Sequence, residues 1–298
     1  MSTRNKILVL GSTGFLGTYF SKYSSALPVS RSKAQGAYLL NLIDSLETKA
    51  NVYRLLESVK PNSIVNCIAL TSIEKCEHDP IQAQFINSEF PGIVADIAGK
   101  KSIPYVHFST DAVFNGLNSP YVETDEPSPI SVYGKTKLLG ENNVIEANPN
   151  SLILRTNFFG YSFKRLSLFN FFFTHLLSLQ ECLGYTDVAF TPMYVKDVCA
   201  ATFALLDKEQ SGIFHLAGVE SVTKFDFGRK VAQAMEVKES LVCPSTRPQS
   251  KENLVRSYDL RLESLKLNKF FKPTYSLIEG IVDSLSEVNK EQNGYLKN

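Results

Sequence analysis

Lys6-Ile7-Leu8-Val9-Leu10-Gly11-Ser12-Thr13-Gly14-Phe15-Leu16-Gly17 runs from a short apolar stretch straight into glycines spaced G-x-x-G-x-x-G. An apolar run without alternation is the pattern of a strand buried on both faces of a parallel sheet. Glycines between such a strand and an opening helix let backbone N–H groups close on a phosphate while the helix presents its positive end. The stretch predicts a dinucleotide loop contacted through Gly11, Thr13, Gly14, Phe15, Leu16 and Gly17. A turn that only lets strand and helix pack closely would use the same glycines.

Downstream the pattern repeats. Residues 38–43 predict a strand ending at Asp44, 52–59 a helix stopped by Pro61, and 63–69 the next strand. Residues 86–98 have helical spacing, and Tyr105-Val106-His107-Phe108 reads as a further strand, with His107 a packed core residue. Strand and helix alternating in this way require right-handed crossovers, which gives an α/β fold with a parallel sheet covered on both faces. Later, 195–206 and 223–235 read as helices, the second capped by Thr223 or Ser221, and 212–218 as a strand. The polar end from about Glu287 is expected to fray.

The 298 residues suffice for one large domain or two joined ones, and no repeat or low-complexity linker divides them. Thirty-one Lys and Arg against 30 Asp and Glu leave a net charge of +1, so no pull toward nucleic acid or an anionic membrane is implied. Five cysteines without a Cys-x-x-Cys pair argue against structural zinc and a disulfide framework, and no metal site is expected. The polar lead before Ile7 is too short for a signal-peptide core, and charges interrupt every long apolar run. The expected location is the cytoplasm.

A cofactor with a free ribose 2′-hydroxyl is usually met by Asp or Glu about 20 residues beyond the loop. Here that region is Ala26-Leu27-Pro28-Val29-Ser30-Arg31-Ser32-Lys33, two cations and two hydroxyls with no carboxylate. Such a set suits a 2′-phosphate. NADP(H) is therefore favoured over NAD(H), with Arg31 as the main contact and Ser30 and Ser32 in support.

Tyr133-Gly134-Lys135-Thr136-Lys137 carries a tyrosine and a lysine four apart. On a helix they share one face, and a nearby cation favours the phenolate, which would bring the Tyr133 proton into working range. Tyr133 is thus a general-acid candidate. Ser109-Thr110-Asp111-Ala112-Val113-Phe114-Asn115-Gly116 follows the strand at Tyr105, where strand ends line the ligand crevice, so Thr110 can face the same space.

Taken together with Val65-Asn66-Cys67-Ile68-Ala69, Leu138-x-Gly140-Glu141 and Leu154-Arg155-Thr156, these motifs resemble the extended short-chain dehydrogenase/reductases, and within them the dTDP-4-dehydrorhamnose reductase group. The likeness runs through most of the chain. It implies a Rossmann doubly wound parallel sheet, formed by 1–156 and 193–218, and a smaller interleaved α/β substrate-binding domain, formed by 157–192 and 219–298. It also implies that Thr110, Tyr133 and Lys137 are catalytic, that Asn41 and Leu42 approach the adenine, that Cys67, Ile68 and Ala69 contact the cofactor with Ala69 beside its ribose, and that Thr156 with Asn157 borders the nicotinamide. Thr71, Asp111, Val113, Phe114, Asn157 and Arg247 are the implied substrate contacts, Arg247 of the Arg247-Pro248 landmark clamping a diphosphate.

The implied reaction is hydride transfer to a 4-keto carbon of a nucleotide-linked deoxysugar for surface polysaccharide, with a homodimer as an allowed assembly. A known relative of the group binds NADP as the non-catalytic partner of methionine adenosyltransferase, so a regulatory reading stays open, as does an epimerase. Ala112 stands where dehydratases of the superfamily have glutamate, which disfavours water elimination. Tyr19 stands where some rhamnose-pathway reductases have a magnesium-binding glutamate. The aromatic run through 158–173 can wall a sugar pocket or simply pack a helix on the sheet.

Overall fold

The computed structural model describes residues 6–32, 34–162, 167–247 and 257–295, with side chains to 290. Lys33 and Pro248 lie outside the described residues. Strands β1 (Ile7–Leu10), β2 (Ala26–Ser30), β3 (Tyr38–Leu39), β4 (Ser63–Asn66), β5 (Tyr105–Thr110) and β6 (Leu152–Thr156) alternate with helices α1 (Phe15–Ser21), α2 (Ser45–Val59), α3 (Ile73–His78), α4 (Pro80–Gln84), α5 (Phe90–Lys100) and α6 (Val132–Ala147). The second half adds β7 (Phe158–Phe159), α7 (Leu168–Leu177), β8 (Cys182–Tyr185), β9 (Ala189–Phe190), β10 (Met193–Tyr194), α8 (Val195–Asp207), β11 (Gly212–Leu216), β12 (Val222–Thr223), α9 (Lys224–Ala234), β13 (Val242–Ser245), β14 (Asp259–Leu260) and α10 (Leu277–Tyr295).

The continuous apolar strands form one seven-stranded sheet in the order β3-β2-β1-β4-β5-β6-β11, with every pairing parallel. Period-two alternation splits their side chains between two cores. Val9, Val65, Val106 and Leu154 share a core with Leu16 and Phe20 of α1 and Val198 of α8. Leu8, Leu10, Ile64 and Ile153 pack on the opposite face with Val52 and Leu56 of α2 and Val94 of α5. The strand order reverses between β1 and β4, so the crevice of this doubly wound sheet opens at their carboxyl ends, beside the glycine turn.

Smaller sheets lie beyond: β7 pairs β10, β8 pairs β13, and β9 pairs both β12 and β14. The aromatic run mostly packs. Phe169 and Phe172 of α7 are fully buried in the larger core, and Phe169 stacks on Phe173 with centroids 5.9 Å apart.

Several element bounds differ from expectation. The third strand shrinks to Tyr38–Leu39, because at the sheet edge it has only β2 to bond, and Asp44 turns the chain by capping α2 through Glu47 N at 2.8 Å. The fourth strand stops at Asn66, whose Oδ1 takes the Ile68 N–H and bends the chain out of the ladder. The C-terminus does not fray at Glu287: α10 continues to Tyr295, and Glu287 bonds Tyr19 (2.6 Å) and Lys196 (2.9 Å). Thr223, not Ser221, caps α9, accepting Asp226 N–H at 3.0 Å.

Candidate active site

Helix α6 starts at Ser131, whose hydroxyl accepts Gly134 N–H at 3.1 Å. A Cβ on Gly134 would sit 2.2 Å from Ala112 O, so only glycine lets the first turn of α6 lie against the 3₁₀ turn Asp111–Val113. That contact brings Tyr133 beside Thr110. Thr110 caps the turn, accepting Ala112 N–H at 3.2 Å, and its hydroxyl lies 3.0 Å from Asp111 Oδ1. Asp111 Oδ2 accepts from Asn157 Nδ2 at 2.7 Å. Burial raises the Asp111 pKa, with the bonds from Asn157, Thr110 and Ala112 pulling the other way.

One turn further along α6, Lys137 is fully buried and its Nζ donates to Phe108 O at 2.6 Å. Burial brings its pKa down to about 8, opposed by the Glu141 carboxylate. The expectation that Lys137 lowers the Tyr133 pKa is corrected here. Burial pushes the Tyr133 phenol up; Thr110 favours its phenolate, and Asp111 and Cys76 oppose it. Lys137 Nζ is bonded to the Phe108 carbonyl, and burial outweighs the groups that favour the phenolate, so in this state Tyr133 keeps its proton at neutral pH.

Thr71, Thr110, Asp111, Tyr133, Asn157 and Arg247 converge on one cleft of about 290 Å³. Val113 and Phe114 do not. Both are fully buried with Tyr121, Ala217 and Leu262, and the Phe114 ring stacks on Tyr121 at 4.1 Å, so neither offers surface to a substrate. Arg247 stacks over Tyr258 at 3.8 Å and donates to Ser257 O at 2.9 Å. Sequence reading missed Lys224 and Phe190, which also line the cleft, as does Tyr258 of the Tyr258-Asp259 segment that resembles a family landmark near the diphosphate. Lys224 opens a helix that read as structural, and only the tertiary fold carries its charge to Asp111.

At the crevice, Gly11 holds φ +83° and a Cβ on Gly17 would stand 2.1 Å from Gly11 O, so loop and helix touch backbone to backbone. The α1 N-terminus has no side-chain cap and no acidic residue in its first turn. This fits a phosphate-bearing cofactor, since the first-turn N–H groups keep their donors for a ligand. Thr13 is exposed and Phe15 half-buried, whereas the Leu16 side chain packs into the core and offers only its N–H. Ser30 ends β2 and its hydroxyl donates to Ser32 O; Arg31 and Ser32 are exposed beside it. Cys67, Ile68 and Ala69 follow β4, with Cys67 N–H bonded to Leu10 O at 2.9 Å. Asn41 is exposed and Leu42 half-buried at the sheet edge. The buried Thr156 hydroxyl donates to Leu216 O at 2.9 Å.

Among the described residues no group of three His, Cys, Asp or Glu is arranged to hold a metal. Tyr19 instead spans 2.6 Å to Glu287 and 3.0 Å to Tyr161 O. No helix among the described residues is long and apolar enough to cross a membrane.

The chain is 36% identical over 201 residues to a probable low-salt glycan biosynthesis reductase of Haloferax volcanii, covering 66% of this chain and 67% of that one. It is 30% identical over 256 residues to the methionine adenosyltransferase 2 subunit beta of Pongo abelii, covering 81% and 75%. A solved dTDP-4-dehydrorhamnose reductase from Clostridium acetobutylicum superposes with a TM-score of 0.79 at 26% identity, over 95% of this chain and 99% of that one. The sequence profile of the RmlD substrate binding domain extends from before the glycine turn into the last helix, residues 5–289, and the chain belongs to that family.

Proposed function

We propose that this protein is an NAD(P)-dependent oxidoreductase that reduces a 4-keto group on a nucleotide-linked deoxysugar, with NADPH as its reductant. The observation that carries this reading is the cleft itself, which Thr110 and Tyr133 line together with the cations Lys224 and Arg247. A hydroxyl pair suits a carbonyl oxygen and the cations suit a diphosphate. The nicotinamide cofactor supplies the hydride when bound. Tyr133 gives its proton to the developing alkoxide, and Thr110 hydrogen-bonds the same oxygen. Lys137, anchored on Phe108 O, holds positive charge behind Tyr133. In this division 1–156 with 193–218 bind the cofactor, and 157–192 with 219–298 close over the sugar nucleotide.

The test is loss of NADPH absorbance against 4-keto sugars linked to dTDP, GDP, CDP and UDP. Turnover on one of them is expected. The likeness to a methionine adenosyltransferase subunit supports a second, non-catalytic reading, which tight NADPH binding without turnover on any substrate would favour. A reductase of this kind would serve surface polysaccharide synthesis.

Cofactor choice has its own test. In the 2′-phosphate reading Arg31 contributes a charge-assisted bond, about 1.5–3 kcal/mol, so Arg31→Ala is expected to weaken NADPH binding roughly 10- to 100-fold and leave NADH binding unchanged. Fluorescence titration with both cofactors checks it, and equal losses for the two would remove Arg31 from the phosphate.

A further inference from the structure

Lys137 is fully buried on α6, one turn beyond the cleft-lining Tyr133, and its amine is held by β5. Its Nζ donates to Phe108 O and also lies 3.2 Å from His107 Nε2. His107 is fully buried on β5, and its other nitrogen, Nδ1, stands 3.4 Å from Asn66 Nδ2. Asn66 decides which ring nitrogen carries hydrogen. Its Oδ1 accepts Ile68 N–H at 3.0 Å while Nδ2 lies 3.0 Å from the Tyr105 hydroxyl. Turning the amide over would forfeit the backbone bond, so the group facing His107 Nδ1 is a donor.

A neutral imidazole has one N–H and one lone pair. With Nδ1 accepting from Asn66, Nε2 carries the hydrogen and points it at Lys137, which can receive it only as a neutral amine. With Lys137 as an ammonium, Nε2 must accept, the ring hydrogen sits on Nδ1, and two donors meet at Asn66.

We propose that His107 is the proton partner of Lys137, a positioning residue whose ring, fixed by Asn66, changes tautomer as Lys137 gains or loses a proton. The ammonium state has three hydrogens on Nζ and one on Nδ1; the amine state has two on Nζ and one on Nε2. One proton leaves the pair for solvent, and the imidazole stays neutral in both states. Phe108 O keeps its donor throughout. Among the described residues the other groups facing the pair are few. Glu141 of α6 favours the ammonium and is itself bonded to Arg155 of β6. Tyr105 of β5 reaches the pair through Asn66, with Cys67 beyond it, and Tyr133 precedes Lys137 by one turn. Burial, reinforced by Lys137, drives the His107 pKa well below its ordinary value, so the imidazolium is not populated at neutral pH.

The effect on rate rests on the reductase reading, in which Lys137 works as the ammonium; the tautomer does not. The chain has four histidines, so nitrogen NMR of the histidine-labelled full chain from about pH 6 to 10 resolves the ring directly. His107 is expected to pass from Nδ1–H to Nε2–H with the midpoint of the Lys137 ζ-nitrogen. A ring that keeps one tautomer across the range, or becomes imidazolium, would overturn the proposal. In turnover, His107→Leu removes the donor to the amine, so the alkaline limb of kcat is expected to move up by about one pH unit, and His107→Gln, which restores an N–H, to move it back. A limb that moves down would make His107 an acceptor only and sink the idea. Failure of every sugar nucleotide as substrate would fall on the reductase reading alone, because the NMR result needs no substrate.

Discussion

Replacing Tyr133 by Phe is expected to lower kcat by about 10²–10⁴-fold while NADPH binding changes by less than about twofold. The loss is large because Tyr133 lines the cleft and burial keeps its proton in place at neutral pH. Thr110 can hydrogen-bond a carbonyl oxygen, but a threonine hydroxyl is no acid in this range, and Lys137 is tied to Phe108 O. The ring itself stays, and with it the packing of the first turn of α6 on Ala112, so the variant is expected to melt like the parent. Stopped-flow reduction in a single turnover separates the chemical step from product release. A variant with parental kcat would dismiss Tyr133 as the proton donor.

Glu141→Ala is expected to cost about 3–5 kcal/mol of stability, enough to consume much of the roughly 5–15 kcal/mol that holds a domain folded. Glu141 and Arg155 are 1% and 2% exposed and meet at 2.7 Å, with a second bond from Arg155 Nε at 3.0 Å and another from the Ser109 hydroxyl. Among the described residues Arg155 Nη1 already has no hydrogen-bond partner. Removing the carboxylate therefore strands a guanidinium inside the sheet, against the Phe114 ring at 5.2 Å. The pair Glu141→Leu with Arg155→Met replaces both charges by apolar groups of similar size and is expected to recover most of the loss. Urea unfolding of the three proteins checks this. Equal stability of Glu141→Ala and the parent would show that the ion pair carries no net weight.

The fold was legible because its signals are local and periodic. Residues 6–17 gave strand, turn and helix from apolar continuity and glycine spacing, and apolar runs of the same kind announced β3, β4, β5 and β11, whereas β2 and β6 were not read from such runs. Boundaries were less legible. Residues 41–43 leave the sheet because an edge strand has one neighbour, and Asn66 ends β4 by bonding its own chain, neither of which apolar content records.

The site divides along the same line. Sequence by itself determined which hydroxyls, cations and glycines the chain could bring to a crevice, since strand ends and helix faces follow from spacing alone. Only the tertiary structure decided what each side chain meets. Val113 and Phe114 share a turn with Thr110, yet they point into a core closed by Tyr121, just downstream, and by Ala217 and Leu262, far along the chain. Lys224 joins the cleft from a helix that looked merely structural. His107, read as packing, is packed and also bonded to Lys137. The physical reason is that charge and hydrogen-bond partners act over a few ångströms in a low-dielectric interior, where contacts between residues distant in sequence set whether a lysine is a spectator, a charge or an acid.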